Sequence, residues 1–429
     1  MDFKSVNQEL LNFIESSPSS YHVVENISAS LRKRGFISLS EKECWKVEYG
    51  KDYFVTRNGS SIIAFRMPKQ EAKGFHIIAT HSDSPTFKVK EHPEMAVEEK
   101  YVKLNTEKYG GMILSTWLDR PLSVAGRVVY KAEDGQVVTA TVNVDKDLLV
   151  IPNVAIHMNR EMNRGVEYNP QVDMLPLLSM QQEGGCKGLL AKEISETLGI
   201  SEDAILGHDL YLYVRDKGRV IGADEGFVLS PKLDDLQSVY AQVAAFCAAA
   251  PTEYITVAAV FDNEEIGSGT MQGADSTLLS DVLERIGESL ALSKNQYLSM
   301  VADSFLISAD NAHAVHPNHP EKADPTNRPY LNGGIVIKYH GSQKYTTDAV
   351  STAKMKLLCE KADIPYQTYH NRSDILGGST LGNISTSHVS LSSVDVGLPQ
   401  LAMHSAVETG GCKDTAYAIE VFKAFYREE

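Results

Sequence analysis

From about residue 225 onward the chain alternates strand-like and helical stretches, and no other feature limits its fold as much. "YITVAAVF" (254–261), "FLISAD" (305–310), "GGIVIKY" (333–339) and "VSLSSVDVG" (389–397) are apolar, β-branched runs. Between and after them, "LDDLQSVYAQVAAFCAAA", "DSTLLSDVLERIGESL", "TDAVSTAKMKLLCEKA" and "DTAYAIEVFKAFYRE" carry apolar residues at helical spacing. Strands this uniformly apolar are buried on both faces, so the pattern predicts helices on both sides of a largely parallel or mixed sheet. "GFHIIAT" (74–80) and a hairpin around Asn58-Gly59 in "YFVTRNGSSIIAFRM" belong to the same texture, after two predicted helices at 5–17 and 21–34. From about 90 to 220 the texture differs. Short alternating runs such as "AGRVVYK", "QVVTATVNV" and "DLYLYV" predict a β-rich segment with one helical stretch, "AKEISETLGI". The fold class expected is therefore α/β, a split α/β/α domain (1–90 and 221–429) with a β-rich domain (91–220) inserted. A chain of 429 residues has ample length for two to three domains.

The polar residues just past each strand are the candidates for chemistry, because open α/β sheets bind ligands beyond the carboxyl ends of their strands. The run 74–80 ends in His81, with Asp83 two residues on, and "YITVAAVF" ends in Asp262, Glu264 and Glu265. "FLISAD" ends in Asp310, His404 follows the run near 391–396, and the helix from about 235 is entered through Asp234 and Asp235. Carboxylates crowded at buried strand ends are costly unless a cation or a proton satisfies them. A mixed His/Asp/Glu set suits zinc and neighbouring divalent ions, and this set is large enough for two ions bridged by one carboxylate. Adjacent residues at a strand end point in opposite directions, so one of Glu264 and Glu265 is expected to bind metal. The other is then free to carry a proton from water to a leaving group.

Other features exclude or weaken rival chemistries. The net charge of −15 argues against nucleic acid or an anionic membrane as main partner. Five dispersed cysteines without a CxxC favour a reducing compartment over a disulfide framework. The amphipathic N-terminus lacks the form of a signal peptide, and no apolar run reaches the ~20 residues of a membrane span, so a cytoplasmic location is expected. There is no GxSxG elbow, and neither "EGGCKG" nor "ETGGCKD" sits between strand and helix as a phosphate loop would. His22, His92, His208 and His370 read as structural or solvated. "HAVHPNHP" (313–320) has three histidines, but its Pro and Asn residues fit an irregular loop as well as a metal tract.

Eight spaced motifs, in order, resemble the aspartyl aminopeptidase family, metallopeptidase family eighteen, from near residue 5 to the C-terminus. They are "ATHSDSPTFKVK", "STWLDRPLSVAGRV", "IPNVAIHMNR", "SPKLDDLQSVYA", "FDNEEIGSGT", "SADNAHAVHPNHP", "GGIVIKYHGSQKYTTD" and "VDVGLPQLAMHS". The resemblance implies that Asp234 bridges two ions. His404 and Glu265 then complete one site, and His81 and Asp310 the other. Glu264 becomes the general base, and Asp83 holds His81 in its metal-binding tautomer. It implies hydrolysis of the N-terminal residue of peptides with a free amine, by a hydroxide activated by two divalent ions, zinc first, with manganese or cobalt as substitutes. It also implies a β-rich insert that forms a homodimer, assembly into a tetrahedral dodecamer, and His157 reaching the neighbouring subunit's active site. Lys338 matches a lysine that can pair with an acidic side chain, which favours Asp or Glu at the N-terminus, although the family also has neutral-preferring members. "GGST" (377–380) stands where the family has CGST, making Ser379 and Thr380 expected substrate contacts. Asp235 stands where the family usually has Asn, and "MHSAVETGG" keeps Glu408 but lacks an Arg. A cis Asp234–Asp235 peptide is expected, as in related two-metal peptidases.

Two rivals share these residues. A related two-metal amidohydrolase or carboxypeptidase would use the same ligand order, and would cleave a blocked-amine substrate faster than its free-amine partner. A non-enzymatic shell with a relic site would retain unpaired buried carboxylates at a cost in stability.

Overall fold

The computed structural model describes residues 1–181, 185–375, 377–378 and 380–428. The chain divides into two compact units. The first comprises Met1–Asp83, Gly218–Met403 and the C-terminal stretch from Glu408, and the second Ser84–Lys217 with His404–Val407. The expected boundaries at 90/91 and 220/221 fall inside the strands Thr86–Val97 and Arg219–Ile221. The strand texture therefore begins before the composition changes.

The first unit is built on a nine-stranded sheet. Its centre is the strand Phe75–His81, flanked in parallel by Ile255–Phe261 and Phe305–Ala309. Alternate residues serve two separate cores. Phe75, Ile77, Ala79, Ile255, Val257, Ala259 and Phe261 pack with the helices Leu278–Ser289 and Lys294–Ala302. Ile78, Ala258 and Val260 pack with Phe3–Glu15, Ser20–Lys33, Leu233–Ala248 and Asp414–Tyr426. Helices on both faces explain the uninterrupted apolar runs. The hairpin falls at Asn58 (φ 54°) and Gly59 (φ 72°), between the strands Asp52–Arg57 and Ser61–Arg66. A five-stranded sheet joins Arg219–Ile221, Phe227–Ser230, Glu408–Gly411, Pro399–Leu401 and Ala312–His313.

The helix Leu233–Ala248 is docked by buried amides. Gln242 accepts from Thr80 Oγ1 at 2.6 Å and donates to the Ile78 carbonyl at 2.7 Å, while Gln237 donates to Thr415 Oγ1 at 2.9 Å. The Gln242 bonds hold the middle of the helix against the end of the strand Phe75–His81, and the Gln237 bond ties its first turns to the helix Asp414–Tyr426. Asp234 (φ −82°, ψ 109°) and Asp235 (φ −117°, ψ 19°) are not helical, and the peptide bond between them is cis, as the resemblance implies.

The second unit has a six-stranded sheet in the order Val137–Asn143, Leu122–Lys131, Ile205–Val214, Thr86–Val97, Tyr101–Tyr109, Leu177–Met180, with all pairs antiparallel. Its own core includes Phe87, Trp117, Val124, Val128, Leu210 and Leu212, with the helix Leu189–Leu198 contributing Leu190 and Ile194. Each unit thus buries an independent apolar core. At roughly 25 cal/mol per Å² of apolar surface, such a core is the main source of a domain's stability.

Candidate active site

Strand register gathers the first unit's candidates. His81 pairs with Phe261, so Asp262 begins just past the same edge. Ser308 pairs with Ala79, and two further residues along that register bring Asp310 beside His81. His81, Asp234, Asp235 and Asp310 each offer one donor atom, and these atoms lie within 4.8 Å of one another. His81 Nε2 is 3.4 Å from Asp234 Oδ1 and 3.7 Å from Asp310 Oδ1. His81, Glu264 and Glu265 form a second such group.

The two glutamates do not sit on the strand. The strand ends at Phe261, and Glu264–Ile266 is a single 3-10 turn entered through Asn263 in the left-handed region (φ 62°). The alternation argued from a strand end is therefore replaced. Neighbours on a turn of three residues diverge by about a third of a circle, which still separates the two carboxylates. Asn263 locks this turn by accepting from Thr270 Oγ1 and Gln272 Nε2, both at 2.8 Å.

Asp83 holds more than His81. Its two carboxylate oxygens accept from the backbone N–H groups of Glu264 and Glu265, each at 3.1 Å. His81 Nδ1 lies 3.1 Å from the Asp83 carbonyl and 3.4 Å from its Oδ1. Glu408, which the resemblance marks only as an acidic residue kept after His404, is a further functional candidate. It is buried, and its Oε2 accepts from the Asp234 N–H at 3.0 Å. Asp235 is fully buried, and its Oδ2 accepts from the His81 N–H at 3.2 Å.

The electrostatics follow from crowding. Burial works against a charge on His81, but the surrounding carboxylates of Asp234, Asp235, Asp310 and Asp83 outweigh it and raise its pKa well above the ordinary value. Burial pushes the Glu264 carboxyl up to about 8, opposed by His81 and reinforced by Asp310, Asp83 and Asp234. Burial likewise raises Asp235. Oxygen and imidazole donors gathered with excess negative charge are the chemistry that a divalent cation satisfies, so the residues present fit a metal of the zinc type.

His404 belongs to the second unit, with Nδ1 2.8 Å from the Gly111 carbonyl. His157 is exposed on a turn of that unit. Thr380 is buried and donates to Asp395 at 2.5 Å, while Ser379 lies outside the described residues. Lys338 is 2% exposed, and Asp310 and Asn311 take its ammonium. His316 and His319 are exposed on a loop. Among the described residues, no group of three or more metal-ligating side chains includes them or His313.

An α/β fold with a His/Asp/Glu cluster at the carboxyl edge of its sheet fits the class of metal-dependent hydrolases of the peptidase type. A profile of the family described as "Aminopeptidase I zinc metalloprotease (M18)" matches residues 13–426, and the chain belongs to that family. It is 49% identical over 422 residues to a "Probable M18 family aminopeptidase 2" of Clostridium novyi, covering 97% of this chain and 98% of that one. It is 40% identical over 451 residues to "Aspartyl aminopeptidase 1" of Schizosaccharomyces pombe, covering 99% and 95%. Among solved structures, that of the "Ape4 and Nbr1 complex" superposes with a TM-score of 0.94 at 38% identity, covering 99% and 86%. The S. cerevisiae "mApe1 dodecamer" does so with a TM-score of 0.87 at 27% identity, covering 99% and 97%. No helix among the described residues is long and apolar enough to cross a membrane.

Proposed function

We propose that this protein is a metallo-aminopeptidase that removes the N-terminal residue, Asp or Glu by preference, from peptides with a free amine. The observation that carries the reading is the cluster of His81, Asp234, Asp235 and Asp310 at the sheet edge, with Glu264 and Glu265 also grouped on His81. The preference for acidic residues is drawn from the name of the S. pombe relative.

His81, Asp234 and Asp310 would hold one ion. The family resemblance adds a second, held by Glu265 and His404 with Asp234 shared between them. Two zinc ions, or manganese or cobalt in their place, would supply Lewis acidity toward the scissile carbonyl and lower the pKa of water to near neutral. Glu264 takes the proton of the attacking water and passes it to the departing amine, so that the amine leaves neutral. Asp83 keeps Glu264 and Glu265 in place through their backbone N–H groups, and Glu408 fixes the backbone of Asp234. We assign the second unit to dimer formation, with His157 supplied to the neighbouring subunit, and the dimers to a tetrahedral dodecamer. The dodecameric state of S. cerevisiae mApe1 supports an assembly of that size.

The test is release of the first residue from matched peptides beginning with Asp, Glu, Leu or an acetylated residue. Purified protein reloaded with zinc, manganese or cobalt is compared with a chelated control. Metal-dependent release from Asp and Glu peptides, with acetylated ones spared, is expected. Faster cleavage of acetylated peptides, or none with any metal, would overturn the reading.

A further inference from the structure

The turn between the first two helices, "SSPSS" (16–20), has no part in the chemistry above, yet it is built into the fold. Ser17, Pro18 and Ser19 are buried, and Asn26 donates to the Ser16 carbonyl at 2.8 Å and to Ser17 Oγ at 3.0 Å. Two contacts run from this turn toward the residues of the candidate site.

The first is made by Lys232. Its Nζ donates to the carbonyls of Ser17, at 3.1 Å, and of Pro18. Lys232 immediately precedes the helix Leu233–Ala248 and stands two residues before Asp234. Its backbone is left-handed (φ 57°, ψ 31°), a conformation that glycine adopts without steric cost and lysine does not. The backbone alone would favour glycine, so what the lysine contributes is the reach of its ammonium to the turn. The second contact is made by Ser20. Its Oγ donates to Asp262 Oδ1 at 3.1 Å, and the same oxygen accepts from the Asn263 N–H at 2.8 Å. Asn263 is the left-handed residue through which the chain enters the turn Glu264–Ile266. The segment 16–20 therefore grips the chain just ahead of Asp234 and again just ahead of Glu264.

We propose that Lys232 and Ser20 are positioning residues, and that the turn they share clamps the segment carrying Asp234 to the turn carrying Glu264 and Glu265. The effect of this clamp on zinc and on turnover rests on the metallo-aminopeptidase reading above. The clamp itself rests on the contacts alone.

The test compares the unaltered protein with S20A and with K232G, which suits the left-handed backbone and removes the ammonium. In the metal-free proteins, amide hydrogen exchange at residues 263–265 is expected to be about tenfold faster in S20A, because the turn opens locally more often. K232G is expected to bind zinc about tenfold more weakly, measured by competition with a chromophoric chelator. With zinc saturating, S20A is expected to lose about tenfold in kcat on an Asp peptide with KM unchanged, since Glu264 is displaced and not removed. A purely structural turn would lower the urea midpoints of both variants and leave zinc affinity and kcat as they were, and that result would overturn the proposal. Unchanged exchange at 263–265 in S20A would overturn it as well. If K232G fails to fold, S20A decides: faster exchange together with the loss in kcat supports the clamp, and either one unchanged overturns it. Failure of the unaltered protein to bind zinc would defeat the metallo-aminopeptidase reading, and the clamp would then stand or fall on the exchange result.

Discussion

Asp83→Asn separates two jobs that one carboxylate could do. Asp83 is 4% exposed and accepts from two backbone N–H groups, one on each oxygen, at 3.1 Å. Asparagine keeps one acceptor and turns an NH₂ toward the other N–H. One hydrogen bond to a charged group is lost, about 1.5–3 kcal/mol, and a buried N–H is left facing a donor. Folding stability should fall by roughly 2–3 kcal/mol in urea titration, which a domain of ordinary stability survives. The larger effect should be on turnover. The lost bond anchors the turn that carries Glu264, and a displacement of about 1 Å at a reacting group costs on the order of 10²-fold. With zinc saturating, kcat on an Asp peptide should therefore drop about 10²-fold while bound zinc stays at its full complement. If Asp83 instead acts chiefly by orienting His81, zinc affinity would fall and kcat would recover once zinc is saturating. A kcat within about threefold of the unaltered protein at full zinc occupancy would refute the argument from the turn.

Two further outcomes follow from the same geometry. Glu264→Gln should retain zinc, measured by atomic absorption, and lose about 10³-fold in kcat, and a retained rate would remove Glu264 as the proton carrier. His76 stacks on Tyr254 at 3.9 Å, and burial, helped by the charge of Lys354, lowers its pKa to about 3. The unfolded chain takes up a proton near pH 6.5 that the folded ring refuses, so stability is lost as pH falls from about 6.5 toward 3, by about 2 kcal/mol at pH 5. His76→Phe should flatten that part of the urea-midpoint profile between pH 7.5 and 5, and an unchanged slope would show that His76 does not contribute to it.

The parts of this molecule that are legible in its sequence are those where burial leaves a periodic mark. Strands covered on both faces leave runs such as "YITVAAVF", and a carboxylate that ends such a run stands out because it is costly there. Asp310 ends "FLISAD" in this way, and His81 is likewise the polar end of "GFHIIAT". Short or polar elements leave no such mark. The helix Lys294–Ala302 opens "KNQY", the strand Tyr366–His370 carries only polar and aromatic residues, and the five-stranded sheet is made of strands of two to four residues. The orientation of polar groups is also hidden. Glu408 was visible only as a residue that followed His404, and nothing in "AVETGG" tells that its carboxylate receives the Asp234 N–H.

Lys338 shows where the reasoning from sequence could have gone further. In "IVIKY" the strand period puts Ile335 and Ile337 on one face, in the large core, and Val336 with Lys338 on the other, where Tyr345 and Tyr369 pack on Val336. A lysine on a buried face must find an anion within the fold or lose its charge. The sheet supplies Asp310 two strands away, with Oδ2 3.3 Å from the ammonium. Burial draws the Lys338 pKa down, but the charges of Asp310, Tyr345 and Asp395 outweigh it and hold the lysine above its ordinary value.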